Sequence, residues 1–148
     1  QESRGLGDVY KRQKEQQVEI SMVERDSLRG HEEVIPSNLE RRVSKMMSKG
    51  FYKPIVIDND SKVILDGHHK WTAAKLLGLD LVPVIIVDYL QDDTVMVDVW
   101  PESGRECITK EEVLEMGISD TVFPPKTSRH SFSFSLPSIS IPLDDLKR

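Results

Sequence analysis

The stretch that decides the fold is residues 63 to 89, VILDGHHKWTAAKLLGLDLVPVIIVDY. It opens as an apolar strand, breaks at Asp66-Gly67, and continues at once with helical spacing through HKWTAAKLLGL, closed by Gly78. The run VPVIIVDYL after it is apolar at successive positions, which predicts a strand buried on both faces. At the strand-to-helix joint the first helical amides lack intrahelical partners, and the helix end carries about half a positive charge. Gly67 permits a sharp turn and leaves room for a ligand against the backbone. The amides of His68, His69 and Lys70 would open the helix into that space, with imidazole and ammonium groups adding donors, so residues 66 to 70 predict a phosphate-binding turn. Asp66 stands on its rim, placed to hold Mg²⁺ through water or to cap the helix. A plain turn with surface histidines is the competing reading.

Working outward, VEISMVER from Val18 alternates apolar and polar residues and predicts a strand. RGHEEVIP reads as a loop, and SNLERRVSKMMSKG as a helix with Ser37 as N-cap, Glu40 completing a capping box and Gly50 as its stop. KPIVIDNDSKVILDG reads as two short strands around an Asn-Asp turn. DTVMVDVWPE supplies one more strand, and TKEEVLEMGI a short helix with Thr109 as N-cap and Glu112 at the capping-box position. The tail FPPKTSRHSFSFSLPSISIPLDDLKR reads as loop plus short edge strands. The first residues, QESRGLGDVYKRQ, are polar and aperiodic, so residues 1 to 17 are read as a disordered or artefactual tail and residues 18 to 148 as one domain. The expected fold is a compact α/β (α+β) domain, a small mixed sheet flanked by helices.

Composition narrows the function. Hydrophobic residues make up 38% and charged residues 30% of 148, a globular balance. No apolar run approaches the roughly 20 residues needed to span a bilayer. No secretory-signal pattern is read at the start, and Cys107 is the lone cysteine, so a reducing cytoplasm is the expected home. The net charge of −5 weighs against a nucleic-acid coat. The basic cluster Arg41, Arg42, Lys45, Lys49 and Lys53 reads as a solvated helix face rather than a DNA-binding surface. Adjacent histidines point in different directions and no CxxC or HxxxH set accompanies them, which argues against zinc.

With KPIVID before it, the DGHH joint resembles the ParB/sulfiredoxin superfamily, and with a basic residue next it is similar to the free L-serine kinase-like branch. RGHEEV resembles that branch's His-Glu loop, and FPPKTSRH its Pro-Lys-Thr-x-Arg-His segment. The resemblance implies a ParB/sulfiredoxin-like fold over residues 18 to 148. It also implies ATP- or ADP-dependent phosphorylation of L-serine, or a similar hydroxy amino acid, to O-phospho-L-serine with Mg²⁺. Asp66, Gly67, His68, His69 and Lys70 would hold nucleotide phosphates, and Glu32 would be the catalytic base, with Asp66 beside it and Glu33 solvated. His31 would position Glu32 or be an exposed loop residue. Lys126, Thr127, Ser128, Arg129 and His130 would bind substrate, Arg129 offering a planar fork to a carboxylate or phosphate. Trp100 would wall the serine pocket or sit in the core. The alternative is a ParB-like nucleotide-binding regulator or DNA-associated module without kinase activity. A sulfiredoxin-like reductase would want a cysteine where His68 stands.

Overall fold

The computed structural model describes residues 18–119 and 121–148; the expected tail, residues 1 to 17, lies outside them. The elements run β1 (Ser21–Glu24), α1 (Pro36–Lys49), β2 (Ile55–Asp58), β3 (Ile64–Asp66), α2 (His68–Leu76), β4 (Leu81–Val87), β5 (Met96–Val99), α3 (Lys110–Ile118) and β6 (Ser128–Ser131). Four strands form a mixed sheet in the order β1-β4-β2-β3, and β5 and β6 make a second, antiparallel pair. β4 runs antiparallel to β1 and parallel to β2. A parallel pair needs a crossover, supplied here by β3 and α2.

The alternation of strand side chains splits the core in two. Ile55 and Ile57 of β2 with Val82 and Val84 of β4 join Met46 of α1 and Ala73 and Ala74 of α2. Val56, Ile85 and Val87 point the other way, onto Val113 of α3, Tyr89 and Phe123. The apolar run in β4 is thus buried on both faces from Val82 to Ile85 and again at Val87, as its composition requires, with Leu81 and Ile86 partly exposed. The result is the expected α+β domain, with helices covering both sides of the sheet.

Two helix starts show how far local signals reach. α3 has its capping box: Glu112 N donates to Thr109 Oγ1 at 3.1 Å and Thr109 N to Glu112 Oε1 at 2.9 Å. The box expected at Ser37 and Glu40 does not form. α1 starts two residues earlier, with Pro36 in the first turn and Ile35 as N-cap without a side-chain cap. Proline's fixed φ is already helical and its missing N–H is no loss there. Gly50 does close that helix.

Gly117 is where α3 meets the sheet. A Cβ there would sit 2.6 Å from Val63 Cγ2 and 2.8 Å from Cγ1, on a fully buried β-branched side chain. Glycine to alanine inside a helix ordinarily stabilises by about 1 kcal/mol. Overpacking a dense core costs about 1–3 kcal/mol, so here it wins. Gly117→Ala is expected to lower the midpoint of urea unfolding; a raised midpoint would show that the contact between α3 and Val63 yields.

Candidate active site

The joint at Asp66 is built by a bulge and a glycine. β2 and β3 pair as Val56↔Asp66 and Ile57↔Ile64, leaving Leu65 as an extra residue. A bulge bends the strand and re-aims the residues after it. Gly67 then takes φ 112°, and α2 starts at His68. A cavity of about 580 Å³ opens over this turn. Asp66, Gly67, His68, His69 and Lys70 line one side, and Glu32, Trp100, Lys126, Ser128, Arg129 and His130 the other. Three segments far apart in the chain therefore meet, as the sequence motifs anticipate.

Glu32 is the most elaborately held side chain. Its Oε1 accepts from Thr127 N (3.2 Å), Ser128 N (2.9 Å) and Ser128 Oγ (3.0 Å), while among the described residues Oε2 accepts only from Lys126 N (3.1 Å). Three successive amides of the KTS turn thus embrace one carboxylate, with Lys126 in the left-handed region at φ 58°. Strained backbone of this kind concentrates at functional sites. Burial pushes the Glu32 carboxyl up from its ordinary value, against the pull of those hydrogen bonds. Oε1 is saturated with donors and Oε2 keeps a lone pair for a proton. Glu33, the competing choice, is exposed.

All four histidines of the chain converge here. His31 is fully buried, its Nδ1 bonded to Ile64 O at 2.8 Å and its Nε2 2.9 Å from Ser128 Oγ. It is therefore a buried, hydrogen-bonded residue and not an exposed loop histidine. His68 Nε2 accepts from His31 N at 3.0 Å, and His69 Nε2 from Ile35 N at 2.9 Å. His130 meets Tyr89 OH at 2.8 Å. Burial lowers the pKa of each ring, His31 to about 4 and His130 to about 3. The pair His68-His69 consequently acts through neutral rings that fasten the loop before α1 to α2 at two points, a different role from the donors expected at the phosphate turn.

Lys70 turns back and donates to Pro54 O at 3.0 Å, and burial lowers its ammonium pKa to about 8, Asp66 opposing the shift. Trp100 is a wall of the cavity: its Nε1 donates to Ser128 O at 3.0 Å, and Arg129 and Lys126 stand 5.0 Å and 5.7 Å from its ring centroid. Thr127 faces away from the cavity, its hydroxyl donating to Pro124 O at 2.7 Å, because the turn that wraps Glu32 points that side chain inward.

The basic cluster is exposed, as expected of a solvated face, but three of its members also border the cavity. Asn38, Arg42 and Lys45 share one face of α1 and line the cavity, and Lys53 joins them after the turn at Gly50. The i, i+4, i+7 spacing of 38, 42 and 45 was the signal. Among the described residues none of Arg42, Lys45, Lys53, Lys126 or Arg129 forms an ion pair with a carboxylate. An acidic protein thus presents a cavity with an excess of unpaired cations, suited to a polyanion. Tyr52, under Lys45, adds a buried hydroxyl without a partner among the described residues.

The profile of the ParB N-terminal domain matches residues 7–102. The chain is similar to an ATP-dependent L-serine kinase of Staphylothermus marinus, 36% identical over 108 residues, 68% of this chain and 42% of that protein. It is similar to the ADP-dependent L-serine kinase SerK of Thermococcus kodakarensis, 30% identical over 130 residues, 80% of this chain and 53% of that one. The chain thus spans about half the length of these curated relatives. A solved free serine kinase in complex with AMP shares the fold, with a TM-score of 0.79 and 21% identity over 87% of this chain and 94% of that one. No helix among the described residues is long and apolar enough to cross a membrane.

Proposed function

This chain belongs to the ParB N-terminal domain family, and from that premise we propose that residues 18 to 148 form a nucleotide-binding domain that phosphorylates the hydroxyl of free L-serine. The observation that carries the reading is Glu32: a half-buried carboxylate with raised pKa, held by four hydrogen bonds on the rim of a cation-rich cavity. Phosphoryl transfer needs positioned phosphates, cations for the transferring group and an acceptor for the hydroxyl proton. The amides of α2's first turn, with Lys70, Arg42, Lys45 and Lys53, supply the first two. Arg129 and Lys126, spread over the Trp100 ring, bind the carboxylate of serine, and Glu32 Oε2 takes the proton of its hydroxyl.

Asp66 is the residue that would hold Mg²⁺. The cavity offers one carboxylate beside the phosphate turn, and among the described residues no three His, Cys, Asp or Glu side chains gather as a metal cage. One carboxylate completed by phosphates and water is the set Mg²⁺ takes in nucleotide sites. When bound, the ion neutralises phosphate charge. The reaction is proposed to run in the cytoplasm, where the exposed Cys107 stays reduced; nucleic acid is not the proposed partner.

The test is phosphorus NMR of the protein with Mg²⁺, L-serine and either ATP or ADP. A phosphomonoester resonance matching O-phosphoserine, dependent on serine, is expected and names the donor. Absence of product with both nucleotides, in folded protein, would move the assignment to a binding or regulatory module.

Lys70 gives the site a pH signature. Its ammonium loses its proton near pH 8, and phosphate binding favours the charged form, so nucleotide affinity is expected to fall as pH rises through about 8. Lys70→Arg keeps the charge and should flatten the profile in calorimetric titrations; an unchanged slope would remove Lys70 from the phosphate site.

A further inference from the structure

The three side chains of the Glu32 corner hold one hydrogen too few for their contacts. Ile64 O can only accept, so the bond at 2.8 Å requires His31 to carry its hydrogen on Nδ1. In the neutral ring Nε2 is then a bare acceptor, 2.9 Å from Ser128 Oγ. On its other side Ser128 Oγ is 3.0 Å from Glu32 Oε1, also an acceptor when ionised. One hydroxyl hydrogen faces two acceptors, and it can serve only one of them at a time.

We propose that the Ser128 hydroxyl is a two-position switch between Glu32 and His31, and that His31 is thereby a positioning residue that sets the basicity of Glu32. With Glu32 ionised the hydrogen points to Oε1, and His31 Nε2 is left buried without a donor. When the O–H bond of the substrate breaks, its proton goes to Glu32 Oε2 and its electron pair stays on the attacking oxygen. The charge on Oε1 falls, and the Ser128 hydrogen turns to His31 Nε2. Protonation of Glu32 therefore relieves an unmet acceptor, which strengthens the base at the moment it acts. The source of the proton rests on the kinase reading; the switch itself does not.

The surroundings fit this arrangement. Burial holds His31 neutral, which is the form with a bare Nε2. The groups facing the trio are His68 of α2, with its ring centroid 4.5 Å from that of His31, His130 of β6 at 6.0 Å, and Lys126, whose amide binds Glu32. Arg129 and Asp66 stand across the same cavity. Both flanking histidine rings are also lowered by burial, so neither supplies a competing charge near neutral pH.

The test is the pH titration of the Glu32 side-chain carboxyl by carbon NMR in the folded protein, without nucleotide or serine. His31→Asn places an amide where Nδ1 sits, keeps a donor for Ile64 O and deletes Nε2. The Ser128 hydrogen then commits to Glu32, and the carboxyl midpoint is expected to fall by about one pH unit. Ser128→Ala removes the donor but leaves the three amides, and the midpoint is expected to rise by about as much; Ser128→Thr should restore it. Opposite shifts are the signature, since a merely structural contact would not move the midpoint both ways. If His31→Asn does not fold, the Ala–Thr pair is read together with His31 Nε2 of the wild type, whose nitrogen shift must track the Glu32 titration. Midpoints that stay put, shifts of the same sign, or a nitrogen shift indifferent to Glu32 would overturn the switch. Failure of the wild type to make phosphoserine would overturn the kinase reading and leave this result standing.

Discussion

Glu32→Gln is expected to lower the turnover of serine phosphorylation by about 10²–10⁴-fold, the range lost with a positioned general base. Nucleotide affinity should stay near the wild-type value, because the phosphate turn and the cations of α1 lie on other elements. Glutamine retains one oxygen for the amides of Thr127 and Ser128, which donate to Glu32 at 3.2 Å and 2.9 Å, so the KTS turn keeps its anchor. What it lacks is the lone pair on Oε2. Alanine would be a poorer test, since three amides and a hydroxyl would lose their acceptor together. Turnover by phosphorus NMR and affinity by calorimetry separate the two effects. Wild-type turnover in the glutamine variant would take the base role from Glu32.

Gly67→Ala should damage fold and site together. At φ 112° an L-residue is strained, and the added Cβ would stand 3.0 Å from Ile55 Cγ1 and 3.2 Å from Cγ2. Ile55 is fully buried at the start of β2 and cannot swing aside. Strain of about 1–3 kcal/mol and overpacking of similar size together take a large share of a stability of about 5–15 kcal/mol. The melting temperature is expected to drop by roughly 5–20 °C. Because His68 and His69 come directly after it and hold the amides of His31 and Ile35, the loop carrying Glu32 should loosen too. Nucleotide affinity measured well below the melting range is expected to fall. A variant with wild-type affinity and melting temperature would show that the turn does not depend on glycine.

Local features were legible where a short-range rule acts alone. The capping box of Thr109 and Glu112 needs only four residues, and the double burial of β4 needs only its composition. Ser37 failed because two local rules compete at that start and Pro36 at the first helical position wins. The place of the basic cluster at the cavity was hidden for another reason. A helical face of cations has the same sequence whether it meets solvent or a cavity, and the position of α1 against α2 decides which.

The sequence by itself determined the strand-turn-helix joint, the glycine that lets it turn and the three polar motifs that resemble one family of sites, since periodicity, capping and φ preference act over a few residues. Only the tertiary structure decided what those motifs do to each other. Glu32 meets Ser128 across 96 positions, and His31 meets Ser128 across 97. Whether a histidine is a cation or a neutral acceptor depends on how much water the fold removes from it, and the fold has buried these rings. The charge state of the site is thus a property of packing, because desolvation is a sum over neighbours that only the folded chain brings together.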